Sequence, residues 1–233
     1  MTTSPRIDTA LFALGFLLAG LVLLALVWSG ARPYEDLARA NRVEQVLFID
    51  QRDGTAAPVA LPGLVSLHAG WSAYVTGATT ELPLTFGREF WTAEELSHMA
   101  DVRRVFDGAK LLVPAGLFLM AFRLQRARMR GLAQMLYIAR AGALIALIAV
   151  ALVGVVAAFA FDPLFLLFHY VFFPQGNFLF DPRTSNLVRL YPDWYWEGIT
   201  VRIGLSFVAL AAAVFVASAL GLRRARASRL ANR

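Results

Sequence analysis

The 233-residue sequence contains no cysteine. That absence removes a structural disulfide and a thiol nucleophile, and with the latter any cysteine-based acyl-enzyme. Charge is scarce too: 16% of residues are charged and 58% hydrophobic, with a mean hydropathy of +0.60. An ordinary soluble domain carries about 25% charged residues, so this composition excludes that class and indicates an integral membrane protein. Lysine is nearly missing, Lys110 being the single one, and arginine carries almost all the positive charge. There is no internal repeat or low-complexity tract. A His-Glu-x-x-His helix, or any other tight pair of metal ligands, is also lacking. Histidine is limited to His68, His98 and His169.

What the chain has is long apolar stretches at residues 11–28, 105–122, 141–161 and 199–222. Each is close to the roughly 20 residues that cross about 30 Å of hydrocarbon as a helix. The first stretch has some features of a signal peptide, with Arg6 before it and Ser29, Gly30 and Ala31 after it. Its apolar part exceeds the roughly 7–15 residues of such a segment, so it reads as a retained anchor.

Arginines near the span ends set the orientation. Arg123, Arg126, Arg128, Arg130 and Arg140 lie between the second and third stretches, and Arg223, Arg224, Arg226, Arg229 and Arg233 form the tail. Positive charge marks the cytoplasmic side. These clusters read as topology markers that touch anionic lipid, with no nucleic-acid partner implied. The expected layout is a cytoplasmic N-terminus and first span (1–29), an extracytoplasmic segment (30–104), a second span (105–124), a basic cytoplasmic loop (125–140) and a third span (141–161). An extracytoplasmic interfacial segment (162–198), a fourth span (199–222) and a basic cytoplasmic tail (223–233) follow. The fold class is thus an all-α membrane protein with four transmembrane helices and a small extracytoplasmic α+β portion.

Within the first outer segment, 45–49 reads as a strand before an Asp53-Gly54 turn, and 64–75 as a helix. The segment shows no clear globular core of its own and is expected to lean on the membrane and on the second outer segment. Near its end Thr92 and Glu95 form a capping box, with Trp91 and Leu96 at the spacing of a hydrophobic staple, so a helix begins there. If that helix enters hydrocarbon near Val105, seven residues at 1.5 Å each put His98 about 10 Å above the boundary, at headgroup depth. Glu95, His98 and Asp101 share one broad helical face. Asp101 is placed to orient the imidazole or to pair with Arg104, and Glu95 to cap the helix or to serve the histidine.

The second outer segment holds an apolar run bounded by Pro163 and Pro174, too short to span and better read as an interfacial or re-entrant helix. His169 lies inside it. Asn177 and Asp181 sit in following turns, where they serve as turn formers, and Asn177 is alternatively a donor to a developing oxyanion. The aromatics at 191–196 read as an interface belt. His68 has no partner motif nearby and reads as incidental.

The stretch Glu95-Leu96-Ser97-His98-Met99-Ala100-Asp101-Val102 and the stretch Phe168-His169-Tyr170-Val171-Phe172-Phe173, followed by Asn177 and Phe180-Asp181-Pro182, resemble the paired signatures of the bacterial lipoprotein intramolecular transacylases, the Lit family. The resemblance extends over the chain through its four-span layout, while 32–89 contributes no motif. It implies transfer of the sn-2 acyl chain of a diacylated lipoprotein to the amino group of its N-terminal cysteine, giving a lyso-form lipoprotein. It also implies His98 and His169 as the catalytic pair. Diacylated lipoproteins and membrane phospholipids are the expected partners, with no cofactor and no metal.

The residues suit that chemistry. An α-amine with a pKa near 8 needs a base before it attacks an ester, and a histidine supplies one. Because amine and ester share one substrate, large effective molarity replaces any need for an enzyme nucleophile. His98, tuned by Asp101, is taken as the base. His169, with Asn177 or Tyr170, would orient the substrate, polarise the carbonyl or return the proton, and the two roles are exchangeable. Two other readings stay open. One is a membrane metalloenzyme acting on lipids, with the two histidines and one or two of Glu95, Asp101, Asp162 and Asp181 as ligands. The other is a non-enzymatic assembly factor or transporter subunit in which the histidines merely pack.

Overall fold

The computed structural model describes residues 4–84 and 87–231, the last four of these as backbone only. Of the tail arginines, Arg233 therefore lies outside the described residues. In chain order the elements are α1 (Pro5–Trp28), α2 (Ala31–Ala40), β1 (Gln45–Ile49), β2 (Ala56–Ala60), α3 (Leu61–Val75) and a 3-10 turn (Arg88–Phe90). Then come α4 (Ala93–Arg128), α5 (Leu132–Phe159), α6 (Phe161–Phe172), α7 (Asn186–Leu190) and α8 (Asp193–Ala231). Four of them, α1, α4, α5 and α8, are long and apolar enough to cross a membrane. At 36 residues α4 is about 54 Å long, well beyond the hydrocarbon thickness. Glu94, Glu95, Asp101, Arg103 and Arg104 crowd its first turns, and the run expected to span, 105–122, follows them.

Two boundaries differ from expectation. The basic connection at 125–140 is mostly helix: α4 continues to Arg128, α5 starts at Leu132, and only three residues turn the chain. Gly131, with φ +119°, makes that turn possible, while the flanking Arg, Leu, Ala and Gln residues favour helix. The third apolar stretch also stops short of Phe161, because α5 ends at Phe159. Pro163 has no N–H to donate to the Phe159 carbonyl, yet it is tolerated in the first turn of a new helix, where donors are unpaired anyway.

The structure comprises two compact units. One draws on α1, the later part of α4, most of α5 and the end of α8. Phe12, Phe16, Ile138 and Phe207 pack there against Ala127, Ala139, Ala143, Ala146 and Ala211. Large rings set against small residues allow close helix approach, which is how helices associate where lipid is as apolar as their side chains. Gly15 of α1 and Gly116 of α4 mark the limit: a Cβ on either would stand 2.7 Å from the other's carbonyl oxygen. At one end of this bundle Asp8, fully buried, meets Arg123 and Arg130.

The second unit gathers α2, the hairpin, α3, the start of α4, α6, α7 and the start of α8. The strands β1 and β2 pair antiparallel, from Gln45 opposite Ala60 to Ile49 opposite Ala56. The outer rim of β1 meets α7, where the Asn186 amide accepts from the Ile49 N–H (2.8 Å) and donates to the Ile49 carbonyl (2.7 Å), standing in for a residue of a third strand. Arg189 donates to the Leu47 carbonyl on the same rim. Since Leu47 faces Pro58, the missing proline N–H falls on the free rim of β2, where it discourages pairing with another chain. Contrary to expectation, the segment 30–104 does bring a core: Phe48, Leu64, Leu67 and Trp71 are fully buried, with the Trp71 and Trp91 rings 5.2 Å apart. As expected, it leans on the second outer segment, through Asn186, Leu187 and Leu190.

The helix α6 is inside out by the standards of a soluble protein. Its one buried residue is His169, whereas Leu166, Leu167, Phe168, Tyr170, Val171 and Phe172 are exposed. Such a run of exposed hydrocarbon suits lipid contact. Pro174 prevents its continuation.

Candidate active site

The capping box forms as its sequence suggests: Glu95 Oε2 accepts from the Thr92 N–H (2.9 Å) and Thr92 Oγ1 from the Glu95 N–H (3.1 Å). The other Glu95 oxygen accepts from the Ser185 hydroxyl (2.6 Å) and the Leu187 N–H (2.8 Å). Glu95 is therefore a completely buried clasp between the start of α4 and the start of α7, and all its hydrogen bonds serve the fold. His98 follows about one turn further along the same helix.

His98 and His169 come together with ring centroids 6.0 Å apart and planes inclined by 21°. Only 6% and 9% of their surfaces are exposed. Aromatic rings wall them in: Phe173 and Phe180 lie 4.7 and 5.6 Å from His98, and Phe165 and Phe178 lie 4.3 and 5.2 Å from His169. Burial pushes the His98 imidazole down to about 4, and a second imidazole beside it adds to the effect. The Asn177 side chain and the charge of Asp101 pull the other way. Burial also lowers His169, against the opposing pull of its bond to the Phe165 carbonyl. Both rings are thus neutral at pH 7.

The two rings differ in their anchorage. His169 Nδ1 lies 2.8 Å from the Phe165 carbonyl one turn back. A carbonyl only accepts, so Nδ1 carries the proton and Nε2 keeps its lone pair. In contrast, His98 Nδ1 is buried without a hydrogen-bond partner.

Asp101 does not touch His98 directly, which changes the role its position suggests. One of its oxygens pairs with Arg104; the other accepts from Gln175 Nε2 (2.5 Å) and Asn177 Nδ2 (2.6 Å). Gly176, at φ +79°, turns the chain so that both amides converge on that carboxylate. Asp101 thereby straps the 174–178 turn onto α4 and acts on His98 through Asn177 and through its charge. The Asn177 side chain is within hydrogen-bonding reach of His98.

Tyr170 is 55% exposed, its ring against Phe178, on the outward face of α6 and away from the imidazoles. The helical period separates it by 100° from His169, so the neighbouring residue turns out as the histidine turns in. Asp181 is half-exposed and occupied with Arg183 two residues on, which holds its carboxyl down at about 2. It is a turn former. Asp162 is exposed in the first turn of α6. Among the described residues no three His, Cys, Asp or Glu side chains gather to hold a metal ion.

The family model described as lipoprotein intramolecular transacylase Lit matches residues 67–196, a stretch that includes both histidines, Asp101, Gln175 and Asn177. The chain belongs to the Lit family. It is accordingly a membrane acyltransferase. The crystal structure of Lit from Bacillus cereus aligns with a TM-score of 0.75 at 14% identity, covering 95% of this chain and 97% of that one. A variant of the same B. cereus protein with a histidine replaced by arginine aligns with a TM-score of 0.72 at 14% identity, covering 96% and 94%. The likeness to these Lit structures is one of fold. No curated protein matches the sequence.

Two features of this Lit family member were hidden from a reading of local motifs. Gln175 was visible only as part of a turn, because its partner Asp101 is 74 residues away. His68, read as incidental, is a buried structural hub. Its Nε2 lies 3.0 and 3.2 Å from the Ser29 and Gly30 carbonyls, its Nδ1 lies 3.2 Å from the Tyr191 hydroxyl, and its ring stacks on Tyr34 at 4.5 Å. Burial pushes its pKa down to about 4. The unfolded chain takes up a proton near 6.5 that the folded site refuses until about 4, so the stabilisation is complete above 6.5 and lost as pH falls through that window. Thermal unfolding of His68→Phe, followed in detergent between pH 7 and 4.5, is expected to be less pH-sensitive than that of the wild type. An unchanged pH slope would remove His68 as its source.

Proposed function

We propose that this enzyme moves the sn-2 acyl chain of a diacylglyceryl-modified lipoprotein cysteine onto the α-amino group of that cysteine, releasing lyso-form lipoprotein. The reaction takes place at the extracytoplasmic face of the bacterial cell membrane, with His98 and His169 as its catalytic pair. The observation that carries this reading is the pair itself: two buried, neutral imidazoles 6.0 Å apart in a Lit family chain. That spacing lets both reach the atoms of one ester within hydrogen-bonding range.

The free amine attacks the ester carbonyl, and as the C–N bond forms its nitrogen loses a proton to His169 Nε2, the one lone pair whose direction the Phe165 carbonyl fixes. An N–H of neutral His98 donates to the carbonyl oxygen as negative charge develops there. The C–O bond to glycerol then breaks, and the His169 imidazolium returns the proton to the departing oxygen. One N–H is lost, one O–H is gained, and the enzyme ends as it began. In this assignment the roles expected from sequence are exchanged, because the contact that suggested His98 as the base, a direct bond from Asp101, is replaced by one through Asn177. Since the nucleophile and the ester belong to one substrate, no acyl-enzyme is needed.

The test is mass spectrometry of the N-terminal peptide of a diacylated lipoprotein incubated in vesicles with the purified enzyme. The expected product has unchanged peptide mass with one acyl chain shifted from glycerol to the amine. Release of free fatty acid, or an acyl group held on the enzyme, would replace this route with hydrolysis or a two-step transfer.

A further inference from the structure

An open groove of about 380 Å³ lies between the end of α2 and the start of α8, lined by Leu37, Trp194, Glu197, Gly198, Val201 and Arg202 among others. Leu37 packs so closely on Gly198 that a Cβ there would collide with it, which keeps the floor smooth and apolar. At 100° per residue Trp194, Gly198 and Val201 form the middle of the α8 face, and Glu197 and Arg202 stand on its opposite margins, about 7.5 Å apart along the axis.

The two charges do not neutralise each other. Arg202 is fixed by a hydrogen bond from Nη1 to the Pro33 carbonyl (2.9 Å) and by its position over the Trp28 ring (5.4 Å). Glu197 is exposed and makes no hydrogen bond or ion pair among the described residues. Along α8, Glu197 lies nearer the helix start and so farther from hydrocarbon, whereas Arg202 lies inside the apolar run. The same vertical order of charge occurs in a zwitterionic phospholipid, with the phosphate at the boundary and the ammonium beyond it.

We propose that this groove binds the headgroup of a phospholipid carrying a phosphate and a primary ammonium. Arg202 takes the phosphate, Glu197 accepts from the ammonium, Trp194 occupies the interface between them, and Leu37 and Val201 lie under the glycerol. Discrimination follows from the unpaired carboxylate, because a headgroup with neutral hydroxyls in place of the ammonium offers Glu197 no opposite charge.

The experiment is native mass spectrometry of the full-length protein in detergent, titrated with phosphatidylethanolamine or phosphatidylglycerol. Wild type is expected to retain phosphatidylethanolamine about tenfold better, the size of one charge-assisted hydrogen bond. Glu197→Gln should abolish that preference and Arg202→Gln should weaken retention of both lipids. Equal or stronger retention of phosphatidylglycerol by wild type, or an undiminished preference in Glu197→Gln, would overturn the proposal. Should Arg202→Gln fold poorly, the exposed Glu197 still decides the matter. The readout is bound lipid, so its outcome stands apart from that of the acyl-transfer assay.

Discussion

His169→Ala is expected to lower acyl transfer by about 10³-fold or more, the upper part of the range for loss of general acid–base catalysis, while leaving a folded membrane protein. The lone pair at Nε2 is held by one hydrogen bond on the opposite ring nitrogen, so the substitution removes both the base and its orientation. His169→Gln provides a control, since it returns a polar side chain without a proton acceptor of comparable basicity. It should be as inactive as the alanine variant. His98→Ala is expected to fall by a smaller factor, about 10²-fold, if its part is to donate to one oxygen. Asp101→Asn should be milder still, because that carboxylate is engaged by Arg104, Gln175 and Asn177 and reaches His98 only through Asn177 and its charge. The measurement is the rate of acyl migration at saturating lipoprotein, with thermal unfolding run alongside. Wild-type rates in His169→Ala would remove that residue from the reaction, and a larger loss in His98→Ala than in His169→Ala would return the base to His98.

Glu95→Ala is expected to destabilise the protein by about 3–5 kcal/mol, because three buried neutral donors lose their acceptor at about 1–3 kcal/mol each. It leaves the Thr92 N–H, the Ser185 hydroxyl and the Leu187 N–H without an acceptor at once. The segment at 185–190 should loosen first, and hydrogen exchange at Leu187 and Val188 would report it. Glu95→Gln separates shape from charge, because its oxygen still accepts while its NH₂ meets donors. A variant that unfolds like the wild type would show the clasp to be dispensable.

The contrast between Glu95 and Gln175 explains how far the sequence could be read. The Thr92–Glu95 box is local, its two hydrogen bonds spanning three residues, so spacing alone reveals it. Its second half, Ser185 and Leu187, lies about 90 residues on and leaves no local trace. The histidines were found because each interrupts or borders an apolar run, a pattern visible without tertiary structure. The strand β1 was legible from Val, Leu, Phe and Ile, whereas its partner Ala56–Ala60 has a single β-branched residue and a proline, and forms because β1 and α3 hold it. His68 was missed for the same reason as Gln175: its partners at Ser29 and Tyr191 are 39 and 123 residues away.

The inverted polarity of α6 changes what concentration means for this enzyme. A helix that hides its imidazole and presents Leu167, Val171 and Phe172 outward suits a substrate that arrives sideways, from among neighbouring acyl chains. Turnover should then follow the fraction of lipid molecules that are lipoprotein, independent of how much bulk solution surrounds the vesicles. Adding inert lipid at constant lipoprotein would slow the reaction by dilution in two dimensions, while adding buffer would leave it unchanged.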